Sequence, residues 1–322
     1  MVEQVLTALR AVAEPTRLRL LALCAQGELT VSELVSVLGQ SQPRVSRHLK
    51  LMCDGGLLER FREGAWVFYR LAPRGAGAEL ARRTLDLVPA EDPVLARDNA
   101  RLAVLKQGRA TSAAAYFRDN AARWAELRSL HIDDADVESA LRNVLAERPM
   151  ADLLDIGTGT GRILEVLAPL AERAEGIDAS REMLSIARAR LEEAGLRHCG
   201  VRQADMYALP FAAAAFDAVT IHQVLHFIDS PAAVVAEAAR VLRPGGRLAV
   251  VDFAPHELET LRSEHSHRRL GFSDAEVSAW CQSAGLSMAR ILRLPGDPLT
   301  VTIWLAARSA GLDHNPVLGG EA

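Results

Sequence analysis

The chain has 322 residues, 49% of them hydrophobic and 24% charged, with a formal net charge of −4. This length and mixture suit about two globular domains, each with its own core, and exclude a collagen-like or low-complexity chain. No apolar run approaches the roughly 18 residues of a membrane span, and Met1-Val2-Glu3-Gln4 opens nothing like a secretory leader.

Leu6, Leu9, Val12 and Ala13 keep helical spacing. Pro15 opens a second helix with Leu18, Leu20, Leu21 and Leu23 on its apolar side, and Gly27 ends it. Thr30 with Glu33 forms a capping box for a short helix that buries Val31, Leu34, Val35 and Leu38. Ser41 caps the next helix, Gln42 to Asp54, with Pro43 tolerated in its first turn. Leu57 to Phe61 and Trp66 to Leu71 alternate like a hairpin joined at Arg62-Glu63-Gly64-Ala65. Residues 1–75 hold ten Lys/Arg against seven Asp/Glu, so a basic front leads an acidic chain, as a local nucleic-acid contact requires.

Three helices followed by a β-wing make helix-turn-helix logic. The runs Ala13-Glu14-Pro15-Thr16-Arg17-Leu18-Arg19-Leu20-Leu21 and Ser41-Gln42-Pro43-Arg44-Val45-Ser46-Arg47-His48-Leu49-Lys50-Leu51 resemble the ArsR/SmtB winged-helix repressors over about residues 3–73. On the helix from Gln42, Val45, Leu49 and Met52 share the buried face. Gln42, Arg44, Ser46, Arg47 and His48 are then left outward to read base edges, with Lys50, Arg62 and Arg70 suited to phosphates. The resemblance implies a homodimer on double-stranded operator DNA. Many such repressors sense metal through a Cys-x-Cys, but Thr30 and Ser32 stand at those positions here, and hydroxyls are poor ligands for soft metals. Cys24, Cys53, Cys199 and Cys281 are scattered, which reads as reduced thiols of a cytoplasmic protein. No metal is expected.

Between Asp92 and Leu145 the chain reads helical, with Ala96 to Ala114 as a linker or dimerisation helix and Asp133 to Leu145 leading into the next domain. From Asp152 strands and helices alternate. Strands are predicted at Asp152 to Ile156, Ala174 to Ile177, Gly200 to Gln203, Ala218 to Ile221 and Arg247 to Phe253. A closing antiparallel hairpin is predicted from Met288 to Leu294 and Thr300 to Ala307. The expected fold is therefore an α/β Rossmann-like domain with a seven-stranded, mostly parallel sheet, preceded by a winged helix. The expected division is residues 1–75 for the winged helix, 76–132 for a helical linker and lid, 133–309 for the α/β domain and 310–322 for an unstructured tail.

Leu153-Leu154-Asp155-Ile156-Gly157-Thr158-Gly159-Thr160-Gly161 sits at a strand-to-helix turn. Its spacing is G-x-G-x-G after an acid, not the G-x-G-x-x-G of dinucleotide binders. Together with Glu175-Gly176-Ile177-Asp178-Ala179-Ser180, Gln203-Ala204-Asp205-Met206, Phe216-Asp217-Ala218-Val219, His222-Gln223-Val224-Leu225-His226 and Leu242-Arg243-Pro244-Gly245-Gly246, it resembles the class I methyltransferases that use S-adenosylmethionine (SAM). The likeness covers about residues 110–308. It implies that Gly157, Thr158, Gly159 and Gly161 cradle SAM or S-adenosylhomocysteine. Asp155 would meet the amino-acid end, and Asp178, Ala179, Ser180 and Met183 the ribose side. Ala204, Asp205 and Met206 would meet adenine, with His222 and Gln223 beyond. Tyr116-Phe117-Arg118-Asp119-Asn120-Ala121-Ala122-Arg123-Trp124 resembles a cofactor lid in which Tyr116 and Arg123 reach the methionine end.

Methyl transfer needs alignment and, for a hydroxyl or amine acceptor, a base. His222, His226 and Asp252 are the candidate catalytic residues, with His256 near a strand end. His265 and His267 could roof the site. Two functions fit. The chain is a DNA-binding regulator answering to SAM or S-adenosylhomocysteine, or it is a small-molecule methyltransferase whose winged helix serves dimerisation or autoregulation.

Overall fold

The computed structural model describes residues 2–63, 66–72, 75–89, 91–120 and 134–310. The tail Gly311 to Ala322 lies outside the described residues. Packing divides the chain into two units, Met1–Ala115 with Glu257–Leu270, and Tyr116–His256 with Gly271–Ala322.

The first unit contains α1 (Val2–Val12), α2 (Pro15–Cys24), β1 (Leu29–Thr30), α3 (Val31–Leu38), α4 (Gln42–Asp54), β2 (Leu58–Glu63), β3 (Trp66–Leu71), α5 (Ala76–Leu87) and the start of α6 (Pro93–Asn120). Helices α2 and α3 start where a side chain supplies a partner for the first free amides, whereas Ser41, predicted to cap α4, stands at its N-cap without a side-chain bond. The Glu14 carboxylate accepts from Arg17 N at the head of α2, and Thr30 and Glu33 form a complete capping box on α3. Gly39, at φ +64°, ends α3 in the left-handed conformation that a glycine adopts without strain. Leu20, Leu21, Leu34, Val45, Leu49, Met52, Leu57 and Leu102 fill the core. Asp98 of α6 is buried and accepts two hydrogen bonds from Arg19, at 2.6 and 2.8 Å. The sheet order is β1-β3-β2. Two details differ from the sequence expectation. The wing ladder continues through Arg62↔Val67 and Glu63↔Trp66, so β2 runs on to Glu63 while β3 keeps its predicted bounds. Leu29 and Thr30 also pair with Tyr69 and Phe68, a strand too short to leave a periodicity.

The second unit contains α7 (Asp134–Ala146), β4 (Met150–Ile156), α8 (Arg162–Leu167), β5 (Ala171–Asp178), α9 (Arg181–Glu193), β6 (Cys199–Gln203), β7 (Phe216–His222), α10 (Pro231–Val241), β8 (Leu242–Phe253), α11 (Asp274–Ser283), β9 (Leu286–Pro295) and β10 (Thr300–Arg308). Its seven strands run in the order β6-β5-β4-β7-β8-β10-β9. The first five are parallel, β10 runs antiparallel to β8, and β9, antiparallel to β10, points the same way as the five. Strands β4, β7 and β8 are buried along most of their length, as central strands of a sheet covered on both faces are. The register of β7 on β8 shifts after Phe216↔Leu242 and resumes at Ala218↔Arg247, so Arg243 to Gly246 are absorbed in an irregularity that sequence periodicity placed outside the strand. Asp217 sits there as a tie, its Oδ2 accepting from Ala151 N and Asp152 N and pairing with Arg243. Strand order reverses between β5 and β7, on either side of β4. In an open parallel sheet, the carboxyl ends of the strands at such a switch open the crevice where ligands bind.

Candidate functional site

The glycine loop leaves β4 at that switch. Gly157 N and Thr158 N both donate to Ile177 O at 2.9 Å, which folds the loop back onto the end of β5. Gly157 has φ +72°, and a Cβ there would lie 2.4 Å from Val224 Cγ2. Only glycine lets backbone and Val224 approach so closely. Asp178 ends β5 with both oxygens turned to this loop and the next helix. Oδ2 accepts from Gly159 N at 2.9 Å and Oδ1 from Ser180 N at 2.8 Å. Burial raises its carboxyl above the ordinary carboxylate range, against the backbone N–H groups of Ser180, Gly159 and Ala179, which lower it.

Ser180 Oγ caps α9 by accepting from Met183 N. Met183 turns into the core at 2% exposure, while Ala179 is exposed. Ala204 N donates to Asp178 O, which holds the end of β6 beside the acid. Asp205 is exposed and closes a turn through Tyr207 N, and Met206 packs partly against the core. Asp155 is buried on β4 and accepts from Thr220 Oγ1 of β7 at 2.6 Å. His222 and Gln223 follow on β7, with Gln223 at φ +52°, a conformation uncommon for a side-chain-bearing residue. The lid residue Arg123 lies outside the described residues, and Tyr116 is described in α6 by its backbone alone.

Two buried polar atoms flank the glycine loop without a hydrogen-bond partner among the described residues, Thr158 Oγ1 and Gln223 Nε2. Buried polar atoms are seldom left so. With the left-handed glycines and the buried Asp178, they fit a polar nucleoside lying across the loop. SAM supplies, when bound, an electrophilic methyl group on its sulfonium. Asp178 can accept the ribose hydroxyl protons, and Thr158 and Gln223 can bond to its polar edge.

Beyond the loop, His226 lies in a short turn after β7, with Nδ1 2.7 Å from Asp252 Oδ1 of β8. Both are buried, at 2% and 0% exposure, between the rings of Phe227 and Phe253. Asp252 Oδ1 also accepts from Phe253 N, and its Oδ2 has no partner among the described residues. An imidazole so oriented is a candidate general base. His226, predicted near the reaction, is thus coupled to the predicted Asp252. His265 and His267, predicted to roof the site, belong to Glu257–Leu270, which groups with the first unit by packing.

On the first unit, Gln42, Arg44, Arg47 and Lys50 form the exposed face of α4, with Ser46 half-buried and Arg62 exposed on the wing. Among the described residues the four exposed α4 side chains have no ion pair or hydrogen bond. His48 is a correction. It turns inward, its side chain 14% exposed and its Nδ1 3.7 Å from Glu14 Oε2, because Glu14 reaches back to cap α2. Burial raises the Glu14 carboxyl, but the backbone of Arg17 and Thr16, the Thr16 hydroxyl and His48 lower it further, to a net decrease. Arg70, expected on phosphates, is instead tied to Glu28 and Glu59 and stacked over Phe61. Sequence reasoning missed Val224, which shapes the loop, and Arg262, Arg268 and Arg269, which grip the wing from the far end of the chain. The basic pair Arg268-Arg269 beside an apolar Leu270-Gly271-Phe272 was their one local signal.

A winged helix-turn-helix followed by a Rossmann-like sheet with a glycine loop and an acid-ended second strand defines a SAM-dependent methyltransferase domain behind a DNA-binding-type head. The family described as Methyltransferase domain matches residues 154–250, and that described as Bacterial regulatory protein, arsR family, matches residues 14–60. A ubiquinone biosynthesis O-methyltransferase of Thiobacillus denitrificans is 32% identical over 217 residues, 60% of this chain and 90% of that protein. A demethylmenaquinone methyltransferase of Thermus thermophilus is 41% identical over 146 residues, 43% of this chain and 64% of that protein. The chain spans from 33% to 68% of the length of the first curated relatives it matches. A solved complex of the Haloferax volcanii Trm112 methyltransferase activator with a methyltransferase aligns at TM-score 0.51 and 21% identity, over 60% of this chain and 97% of that one, a likeness of fold alone. The chain belongs to the class I SAM-dependent methyltransferase family, with an ArsR-family helix-turn-helix domain fused at its N-terminal end.

Proposed function

We propose that the chain methylates an oxygen of a small molecule, with SAM as donor and S-adenosylhomocysteine as product. The observation that carries this reading is the buried His226–Asp252 pair, three residues past the Gln223 that flanks the glycine loop. Asp252 holds Nδ1, so proton acceptance from the attacking hydroxyl falls to Nε2. Asp155, Asp178, Thr158 and Gln223 orient the donor. The O-methyltransferases among the relatives support an oxygen acceptor. The test is transfer of label from methyl-tritiated SAM to a panel of phenols and quinols. Transfer lost at least a hundredfold in His226→Ala and Asp252→Asn, with S-adenosylhomocysteine still bound, is the expected result. No transfer to any member by a protein that binds the donor would overturn catalysis.

A second role rests on a separate observation, the exposed Gln42, Arg44, Arg47 and Lys50 on the outer face of α4. They support binding of double-stranded operator DNA in the major groove, and with it transcriptional control responding to SAM or S-adenosylhomocysteine. A homodimer is supported by Val2, Val5, Leu6 and Leu9, which leave an apolar stripe exposed along α1. Sedimentation as a monomer at micromolar concentration would refute that. A cytoplasmic protein is supported by four free cysteines, with Cys53, Cys199 and Cys281 pushed up to about 11 by burial. No helix among the described residues is long and apolar enough to cross a membrane.

A further inference from the structure

We infer that Glu257–Leu270 is a strap that carries the state of the SAM site to the winged helix, an inference that rests on the methyltransferase reading above. In sequence the segment interrupts the α/β unit, and in packing it belongs to the first unit. Its two roots are pinched together. Phe272 N donates to Phe253 O at 2.9 Å, and Ala254 N to Thr300 O at 2.9 Å. Gly271, at φ +87°, lies so close that a Cβ would sit 2.2 Å from Ala254 O. The neck begins one residue after Asp252, the partner of His226. A ligand that shifts the end of β8 therefore shifts the root of the strap.

The end of the strap just before its second root grips the elements that present α4. Arg268 Nη2 donates to Glu28 O at 2.6 Å, and Nη1 bonds Glu33 Oε1 at 3.3 Å. Glu33 is the carboxylate whose other oxygen completes the capping box of α3, the helix before the recognition helix. Arg269 donates to Glu28 Oε2 at 2.6 Å, and its guanidinium lies 5.0 Å from the Phe61 ring and 5.9 Å from Phe68. Arg262 lies 4.7 Å over Trp66 at the wing. Arg268 and Arg269 are 7% and 2% exposed, so these are not surface pairs that water loosens. Planar guanidinium groups, bonded at the edge and stacked on a face, fix orientation as well as distance. One strap thus holds both the N-terminus of α3 and the two wing strands.

The test is hydrogen–deuterium exchange on the full chain with and without S-adenosylhomocysteine, its affinity followed by calorimetry. In the wild type the ligand is expected to change exchange in residues 28–34 and 58–71 by about fivefold or more, the lower edge of typical coupling between sites. In Arg268→Ala/Arg269→Ala that change vanishes while ligand affinity stays within twofold. Arg268→Lys/Arg269→Lys, which keeps charge but not the planar fork, guards against a fold lost when Glu28 keeps Arg70 alone, and is expected to retain less than half the response. A bound ligand with no change at the winged helix, or a change that survives both variants, overturns the strap alone. No calorimetric heat at all overturns both the strap and the methyltransferase reading.

Discussion

Gly157→Ala separates two reasons for a glycine at the turn, and the structure sets the size of each. At φ +72° an alanine carries left-handed strain of about 1–2 kcal/mol. Its Cβ would meet Val224 Cγ2 at 2.4 Å and Cγ1 at 3.0 Å, an overpacking worth about 1–3 kcal/mol. Together they predict about 2–5 kcal/mol lost from the second unit. Val224→Ala removes both Cγ atoms and leaves Val224 Cβ at 3.2 Å, tight but tolerable. The double variant should therefore recover the packing part and keep the strain, with a coupling of about 1–3 kcal/mol in the cycle. Urea unfolding followed by Trp fluorescence reads stability, and calorimetry with S-adenosylhomocysteine reads binding. If the backbone must touch the ligand, binding stays weak in the double variant although its stability returns. A Gly157→Ala protein as stable as wild type, or a double variant that recovers no stability, would refute the reasoning.

Asp178 makes cofactor affinity pH-dependent. Its carboxyl is raised by burial, so it takes up a proton at higher pH than an exposed aspartate, and only the ionised form accepts both ribose protons. Affinity should be full at neutral pH and fall as pH drops through that raised value, while Asp178→Asn binds weakly at every pH. Calorimetry across the acid range checks this, and a flat wild-type profile would contradict it. Glu28→Gln strips the charge facing Arg70 and Arg269, both at least three-quarters buried, and is expected to cost about 3–5 kcal/mol in denaturant unfolding of the first unit. Arg44→Ala and Arg47→Ala should lose about 1–3 kcal/mol of sequence discrimination in operator selection with thermal stability unchanged. Lys50→Ala should weaken DNA uniformly and lower the salt slope by about one.

What could be read in the sequence was local. The Thr30–Glu33 capping box, Pro15 and Pro43 at helix starts and the glycine loop before an acid each act within a few residues, and each stands where spacing put it. Strands β4, β7 and β8 were legible because central buried strands carry apolar runs, and β9 and β10 because a turn joins them as a hairpin. Elements decided by distant partners were not. His48 faces inward because Glu14 waits there, and Arg70 leaves solvent because Glu28 and Glu59 hold it. Leu29 and Thr30 become a strand only once Tyr69 and Phe68 arrive. The grouping of Glu257 to Leu270 with the first unit was not legible either. Arg268 and Glu33 are 235 residues apart, and no window along the sequence joins them.

The division of the polypeptide has a consequence for how such proteins can be cut and recombined. A fragment ending at Ala115 would keep Arg70 on Glu28 but lack Arg268 and Arg269, which bond Glu28 and Glu33 and lie over Phe61 and Phe68, so it would expose acidic and aromatic surface that the intact molecule hides. The winged-helix head is therefore not a detachable bead. Grafting it onto another enzyme requires the fourteen-residue loop from the donor's own catalytic half as well, and a head exchanged without it should arrive less stable and prone to self-association.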